Sequence, residues 1–221
     1  MIPSKVLDAL IADTLEFIEG EHAETKWERD PVKLCQLWGI RYEIGPRYMA
    51  RSRDQDRAND LITVTADDYG SRYLFTVAHE MAHILAKRGG YVRLIKHYHA
   101  SVPDMRRHIE LIINYAAGRL LMPAPDLLEA WELYRDRPDA VLHLMKLSGA
   151  SEPAAMRRWT WQDVTAYRGA FTATENYIQD VTACRAKVPF RRHDRVPELH
   201  ILHPDVSLIS LGGGRVMGTI A

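Results

Sequence analysis

The sequence predicts an α+β fold that is mostly helical, with a small N-terminal sheet, a helix-turn-helix-like helical segment and a short C-terminal β extension. Three observations carry that expectation. Apolar residues recur at helical spacing through most of residues 4–160. Two short strand-like runs, 40–44 and 61–65, precede the longest of these helical stretches. After Pro189 the character changes to short apolar runs, 199–202, 206–211 and 216–220, with Gly212-Gly213-Gly214 as a turn.

The elements follow in order. Residues 4–20 read as a helix, with Val6, Leu7, Leu10, Ile11, Leu15 and Ile18 as its stripe and Gly20 to end it. Asp30-Pro31 opens a second helix, Asp30 capping and Pro31 in the first turn, and Gly39 stops it. The charged stretch 47–59 reads as a turn or long hairpin loop. A long helix is expected over 71–88, closed by Gly89-Gly90, followed by a connecting loop over 91–103. A second long helix is expected over 104–122, broken by Pro123 and Pro125. Shorter helices are expected at 126–135, 138–148 and 151–158, and a longer helical stretch at 162–187. The expected domain boundaries are 1–125, 126–188 and 189–221.

Composition narrows the function classes. The 221 residues are 47% apolar and 26% charged, ordinary for a water-soluble globular chain able to bury a core. Formal net charge is zero, so no global field draws the chain to nucleic acid or an anionic membrane. No apolar run approaches the 18 residues of a membrane span, and the acidic residues Asp8, Asp13, Glu16 and Glu19 rule the first segment out as a signal peptide. Cys35 and Cys184 are isolated in sequence and read as small buried hydrophobes. These features fit a reducing cytoplasm, the expected location.

The chemistry lies in His79-Glu80-Met81-Ala82-His83. Helical spacing puts residues four apart on one face, so both imidazoles can reach one metal ion. Glu80 sits one position round, where a carboxylate can take a proton from water without being a ligand itself. Zinc is the expected ion, and a set of two histidines and a glutamate would accept manganese as well. The stripe of Leu74, Val77, Ala78, Met81, Ile84 and Leu85 would bury the helix and leave the histidines at its boundary.

A catalytic zinc keeps three protein ligands, so two histidines are not enough. Glu110 lies on the next long helix beside the apolar face of Ile109, Ile112, Ile113 and Ala116, and Asn114 shares its face. A carboxylate beside a buried stripe needs a partner, and a metal is one. Asn114 could then hold the carboxylate or a motif histidine. Three alternatives stay open on spacing alone: Glu110 is exposed, Glu110 pairs with Arg106 or Arg107, or His108 is the ligand. No spacing singles out an oxyanion partner among His97, Tyr98, His99, His108, Tyr115 and His143.

Three stretches of the chain resemble the ImmA/IrrE-type metallopeptidases. Phe75-Thr76-Val77-Ala78-His79-Glu80-Met81-Ala82-His83-Ile84-Leu85 is similar to that family's Phe-Thr-x-Ala-His-Glu-x-Gly/Ala-His-x-Leu helix. The stretch from Glu110 and Asn114 to Leu120-Leu121-Met122-Pro123 is similar to its Glu-x-x-Ala-Asn helix ending in Leu-Leu-Met-Pro. Residues 148–159 resemble its following helix-turn-helix-like segment. The likeness covers roughly residues 30–160. Ile113 stands where the family has a small Ala, and Tyr115-Ala116 departs from its Phe-Ala, changes of packing rather than of chemistry.

The resemblance implies a zincin-like metallopeptidase core over 1–125, with His79, His83 and Glu110 as metal ligands and Glu80 as general base. It implies a zinc enzyme, manganese being possible, that makes a limited cut in a helix-turn-helix repressor and so releases stress or mobile-element genes. A competing reading is a metal-bound regulatory or toxin-like partner of a helix-turn-helix protein. Its support is residues 138–160, two helices about a Ser148-Gly149-Ala150 turn. Only Arg157 and Arg158 are basic on the second of these, a poor complement to a DNA groove.

Overall fold

The computed structural model describes residues 4–46, 49–53, 56–65, 70–98, 102–196 and 205–221. The chain divides into two compact units, Met1–Pro123 and Ala124–Ala221. No helix among the described residues is long and apolar enough to cross a membrane.

The first unit carries helices α1 (Ser4–Glu24) and α2 (Pro31–Leu37), strands β1 (Arg41–Ile44), β2 (Met49–Arg53) and β3 (Asp56–Val64), then α3 (Gly70–Arg88), α4 (Tyr91–Tyr98) and α5 (Val102–Leu121). The Asp30 side chain accepts from the Val32 and Lys33 amides at 2.8 and 3.3 Å, fixing the start of α2 as its sequence predicts. The sheet runs β1-β3-β2, with β1 parallel and β2 antiparallel to the central β3. β3 packs against α3; its Leu61, Ile62 and Val64 are buried, as are Val77, Met81, Ile84 and Leu85 of the α3 stripe.

Two expectations in this unit are corrected. Residues 91–98 form helix α4 rather than a loop. Tyr91, Ile95 and Tyr98 stand at helical spacing, but only Ile95 is buried, and Tyr91 closes on Phe17 of α1 with ring centroids 5.5 Å apart. So short an apolar face is masked in sequence by its basic and aromatic neighbours. Within 47–59, strand β2 and the first half of β3 replace the expected loop. β2 is an edge strand, and an edge tolerates charge that a central strand does not.

One buried ion pair fixes the end of α3. Arg88 Nε donates to Asp60 Oδ2 of β3 at 2.7 Å, the side chains being 7% and 1% exposed. At the other end of α3, the Tyr73 hydroxyl meets the Tyr42 hydroxyl of β1 at 2.7 Å. Burial, and then that hydrogen bond, push the Tyr42 phenol well above its ordinary range.

The second unit begins with α6 (Ala124–Tyr134), α7 (Asp139–Ser148) and α8 (Glu152–Thr160). Gly149 turns α7 into α8 with φ +66°, a left-handed conformation that glycine adopts freely. A four-stranded antiparallel sheet follows, in the order β5-β4-β7-β6, from β4 (Arg168–Thr174), β5 (Tyr177–Cys184), β6 (Val206–Gly212) and β7 (Arg215–Ile220). The expected strands over 206–211 and 216–220 are present, and the expected strand over 199–202 lies outside the described residues.

The helix expected over 162–187 is therefore corrected to a β-hairpin, and the boundary expected at 188 falls inside what is one sheet. β4 is central and buried along nearly its whole length, so it lacks the alternation that marks a half-exposed strand. The turn is Glu175-Asn176, both at positive φ, a less legible signal than Asn-Gly. Phe171 packs edge-on against Phe190 at 4.8 Å, and its ring fills the space a side chain on Gly218 would need.

Removing one partner of the α3 anchor should strand a buried charge. Asp60→Ala is expected to cost about 3–5 kcal/mol in urea unfolding, and Asp60→Leu with Arg88→Met should recover most of it. Equal losses in single and double variants would disprove an anchoring role for the pair.

Candidate metal centre

The α3 and α5 helices pack against each other, and both carry small buried residues. Ala78 and Ala82 of α3, and Ala116 and Ala117 of α5, are fully buried. The pairing is antiparallel: His79 lies against Asn114, and Glu110 sits between His79 and His83. The four-residue step in each helix thus brings the motif histidines and the α5 polar face into one cluster.

His79 Nε2 is 3.4 Å from Glu110 Oε2, and His83 Nε2 is 3.5 Å from Glu110 Oε1. The three donor atoms lie within 4.8 Å of one another, and the imidazole centroids are 4.8 Å apart. These separations are longer than charge-assisted hydrogen bonds. The two histidine-to-carboxylate separations, each to a different oxygen of Glu110, are close to the roughly 3.3 Å between neighbouring ligand atoms of a tetrahedral site with bonds of about 2.0–2.1 Å. The donor set therefore fits a divalent cation better than it fits direct contact among its members.

The surroundings prepare the imidazoles for that role. His79 Nδ1 lies 3.0 Å from Asn114 Oδ1. That oxygen only accepts, so Nδ1 carries the proton and the Nε2 lone pair faces Glu110. Burial, and then the neighbouring His79, push the His83 pKa down to about 4, against a partial upward pull from Glu110. His83 is thus neutral at physiological pH, the form that binds metal. Phe75, one turn before His79, stands 6.3 Å from its ring.

The residues singled out in sequence separate here. Glu110 is not paired with Arg106 or Arg107, and His108 is not part of the donor group. The premise that Glu110 is buried is corrected: its side chain is 54% exposed, against 18% and 21% for the two histidines. The centre is therefore open on the carboxylate side. Glu80 is half-buried on α3, one residue round from His79. His97 stacks edge-on against its neighbour Tyr98, His143 pairs with Glu129 at 3.0 Å within the second unit, and His99 lies outside the described residues. The Tyr42–Tyr73 pair and the Asp60–Arg88 anchor carry no motif and were not legible in sequence.

A family model, the IrrE N-terminal-like domain of Peptidase_M78, matches residues 40–160. Among solved structures, the chain is similar to a Mycobacterium tuberculosis transcriptional regulator at 14% identity and a TM-score of 0.57, over 94% of this chain and 75% of that one. That likeness speaks to fold. No curated protein matches the chain.

The lowered His83 pKa has a signed consequence for the metal-free protein. Between pH 6.5 and about 4 the unfolded chain binds a proton at His83 that the folded chain refuses. Stability should fall as pH drops through that window, and His83→Gln should flatten the slope there. Thermal unfolding in the presence of a chelator reads this directly, and identical slopes would refute it.

Proposed function

Since the chain belongs to the Peptidase_M78 family of IrrE N-terminal-like domains, we propose that it is a metal-dependent endopeptidase of the cytoplasm. Its substrate in this reading is a helix-turn-helix transcriptional repressor, cut at one site so that stress or mobile-element genes are released. The observation that supports the reading is the clustering of His79, His83 and Glu110, whose donor atoms lie within 4.8 Å of one another with an open side.

Each residue then has a role. His79, His83 and Glu110 hold the ion, zinc first and manganese as the alternative. Asn114 fixes the tautomer and ring orientation of His79. The bound ion would acidify a water and polarise the scissile carbonyl. Glu80 takes the proton from the attacking water and returns it to the leaving amine. A purely structural zinc would want four closed ligands, usually with cysteine. Cys35 is fully buried and its thiol is pushed up to about 12 by that burial, so it offers no thiolate.

The α7–α8 pair and the regulator among the structural neighbours favour a second reading, a metal-bound regulatory partner without hydrolysis. Arg158 is buried and only Arg157 of α8 is exposed, which leaves little charge for a DNA groove.

Incubating the metal-loaded chain with a helix-turn-helix repressor and weighing the products by intact mass spectrometry decides between them. One cut is expected, and Glu80→Gln should slow it by about 10²–10⁴-fold while keeping the metal. Stable repressor binding with no cut favours the regulatory reading. For the ligand set, Glu110→Ala should lose its zinc on dialysis, and Asn114→Ala should weaken zinc affinity about 10–100-fold. Unchanged zinc content by atomic emission in Glu110→Ala would remove it as a ligand.

A further inference from the structure

The charge of this neutral chain is unevenly distributed around the candidate centre. Between Glu80 and Glu110 the sequence holds six lysines and arginines and one acid, Asp104. Arg88 is committed to Asp60. The other five, Lys87, Arg93, Lys96, Arg106 and Arg107, have no ion-pair partner among the described residues. All but the half-buried Lys87 are exposed.

Their placement follows from the helix pairing. With Asn114 on His79 and Glu110 between His79 and His83, the antiparallel pairing carries the next turn of each helix, Lys87 on α3 and Arg106 and Arg107 on α5, to the same end of the centre. Lys87 is close enough to contribute to the lowered His83 pKa. Helix α4, with Arg93 and Lys96, packs against both α3 and α5. The α1 acids that bear on α4, Asp13 and Glu16, act on the Tyr91 hydroxyl and pair with none of the five cations. One edge of the metal centre is therefore a ridge of uncompensated positive charge.

We propose that Lys87, Arg106 and Arg107 form a cationic subsite that receives acidic side chains of the substrate beside the bond to be cut. The subsite lies about one helical turn, roughly 6 Å, from the donors, and an extended peptide advances about 3.3 Å per residue. A substrate continuing along the ridge would present there the side chain about two residues from the scissile bond. A peptide fits better than nucleic acid. The three cations are compact and adjoin a site for amide chemistry, whereas phosphate tracking wants a long basic groove with stacking aromatics. This role rests on the metallopeptidase reading of the centre.

The test uses zinc-loaded, full-length Glu80→Gln protein and fluorescent dodecapeptides identical except for Glu, Gln or Lys at the second and third positions from the centre. Anisotropy at low salt should show the Glu peptide binding about tenfold tighter than the Gln peptide, with the gap closing as salt rises. Adding Lys87→Gln, Arg106→Gln and Arg107→Gln should erase the gap, and Glu at the same three positions should shift preference to the Lys peptide. Circular dichroism checks that both variants fold. Equal binding of the Glu and Gln peptides, or a preference that survives the triple variants, overturns the proposal. So does a single-stranded oligonucleotide that displaces the Glu peptide through the same three residues. Cleavage by the wild-type chain is scored separately. Charge-selective binding without cleavage would strike the metallopeptidase reading alone and leave the cationic site standing.

Discussion

The close approach of α3 and α5 is the constraint on which the rest of the structure depends. Two short, rigid donors on one helix must meet a carboxylate and an amide on another, and none has reach to spare. The buried alanines at 78, 82, 116 and 117 keep both helices slim. The shared four-residue step then sets Asn114 on His79 and Glu110 between His79 and His83. Larger residues at the alanine positions would push the helices apart and open the 3.4 and 3.5 Å separations beyond what one ion could bridge. In this sense the candidate metal site is a property of the apolar packing that lies beneath it.

The sheet supplies the second half of that constraint. A helix with a charged outer face can slide or roll on a flat apolar surface, and α3 is held against both motions. Arg88 at its end is bound to Asp60 on the central strand, and Tyr73 near its start to Tyr42 on an edge strand. A buried charge pair is an expensive way to stabilise a fold, and hydrophobic replacements often match it in energy. Its value here is positional, since it fixes where the last turn of α3 ends and therefore where His83 points. The arrangement parallels Asn114 at the centre, where one polar contact chooses between two tautomers and adds little to stability.

The legible parts of the chain are those in which local spacing and chemistry coincide. His79 and His83 announce a shared face, and Glu110 and Asn114 repeat the same step on the next long helix. Those four residues come together, although the burial argued for Glu110 did not hold. The unit-2 hairpin was illegible because β4 is covered on both sides, so Phe171, Thr172 and Ala173 are all buried and show no period of two. Helix α4 was illegible because it buries one residue, Ile95. The strand β2 was hidden by the charge an edge strand permits. In each case tertiary context, and not local propensity, decided the outcome. The Asp60–Arg88 pair spans 28 residues and has no periodic signature at all.

The antiparallel pairing of α3 with α5 also governs which changes of chain length the protein can survive. A residue gained or lost between helices alters a connection and leaves both donor faces intact. A residue gained inside α5 between Glu110 and Asn114 turns everything beyond it by about 100°. Asn114 would then swing off His79 while Glu110 stayed in place. Over evolutionary time such a chain can drift freely in its loops, but its two central helices must keep their length residue for residue, so divergence here should be recorded in substitutions at the surface and never as gaps across the centre.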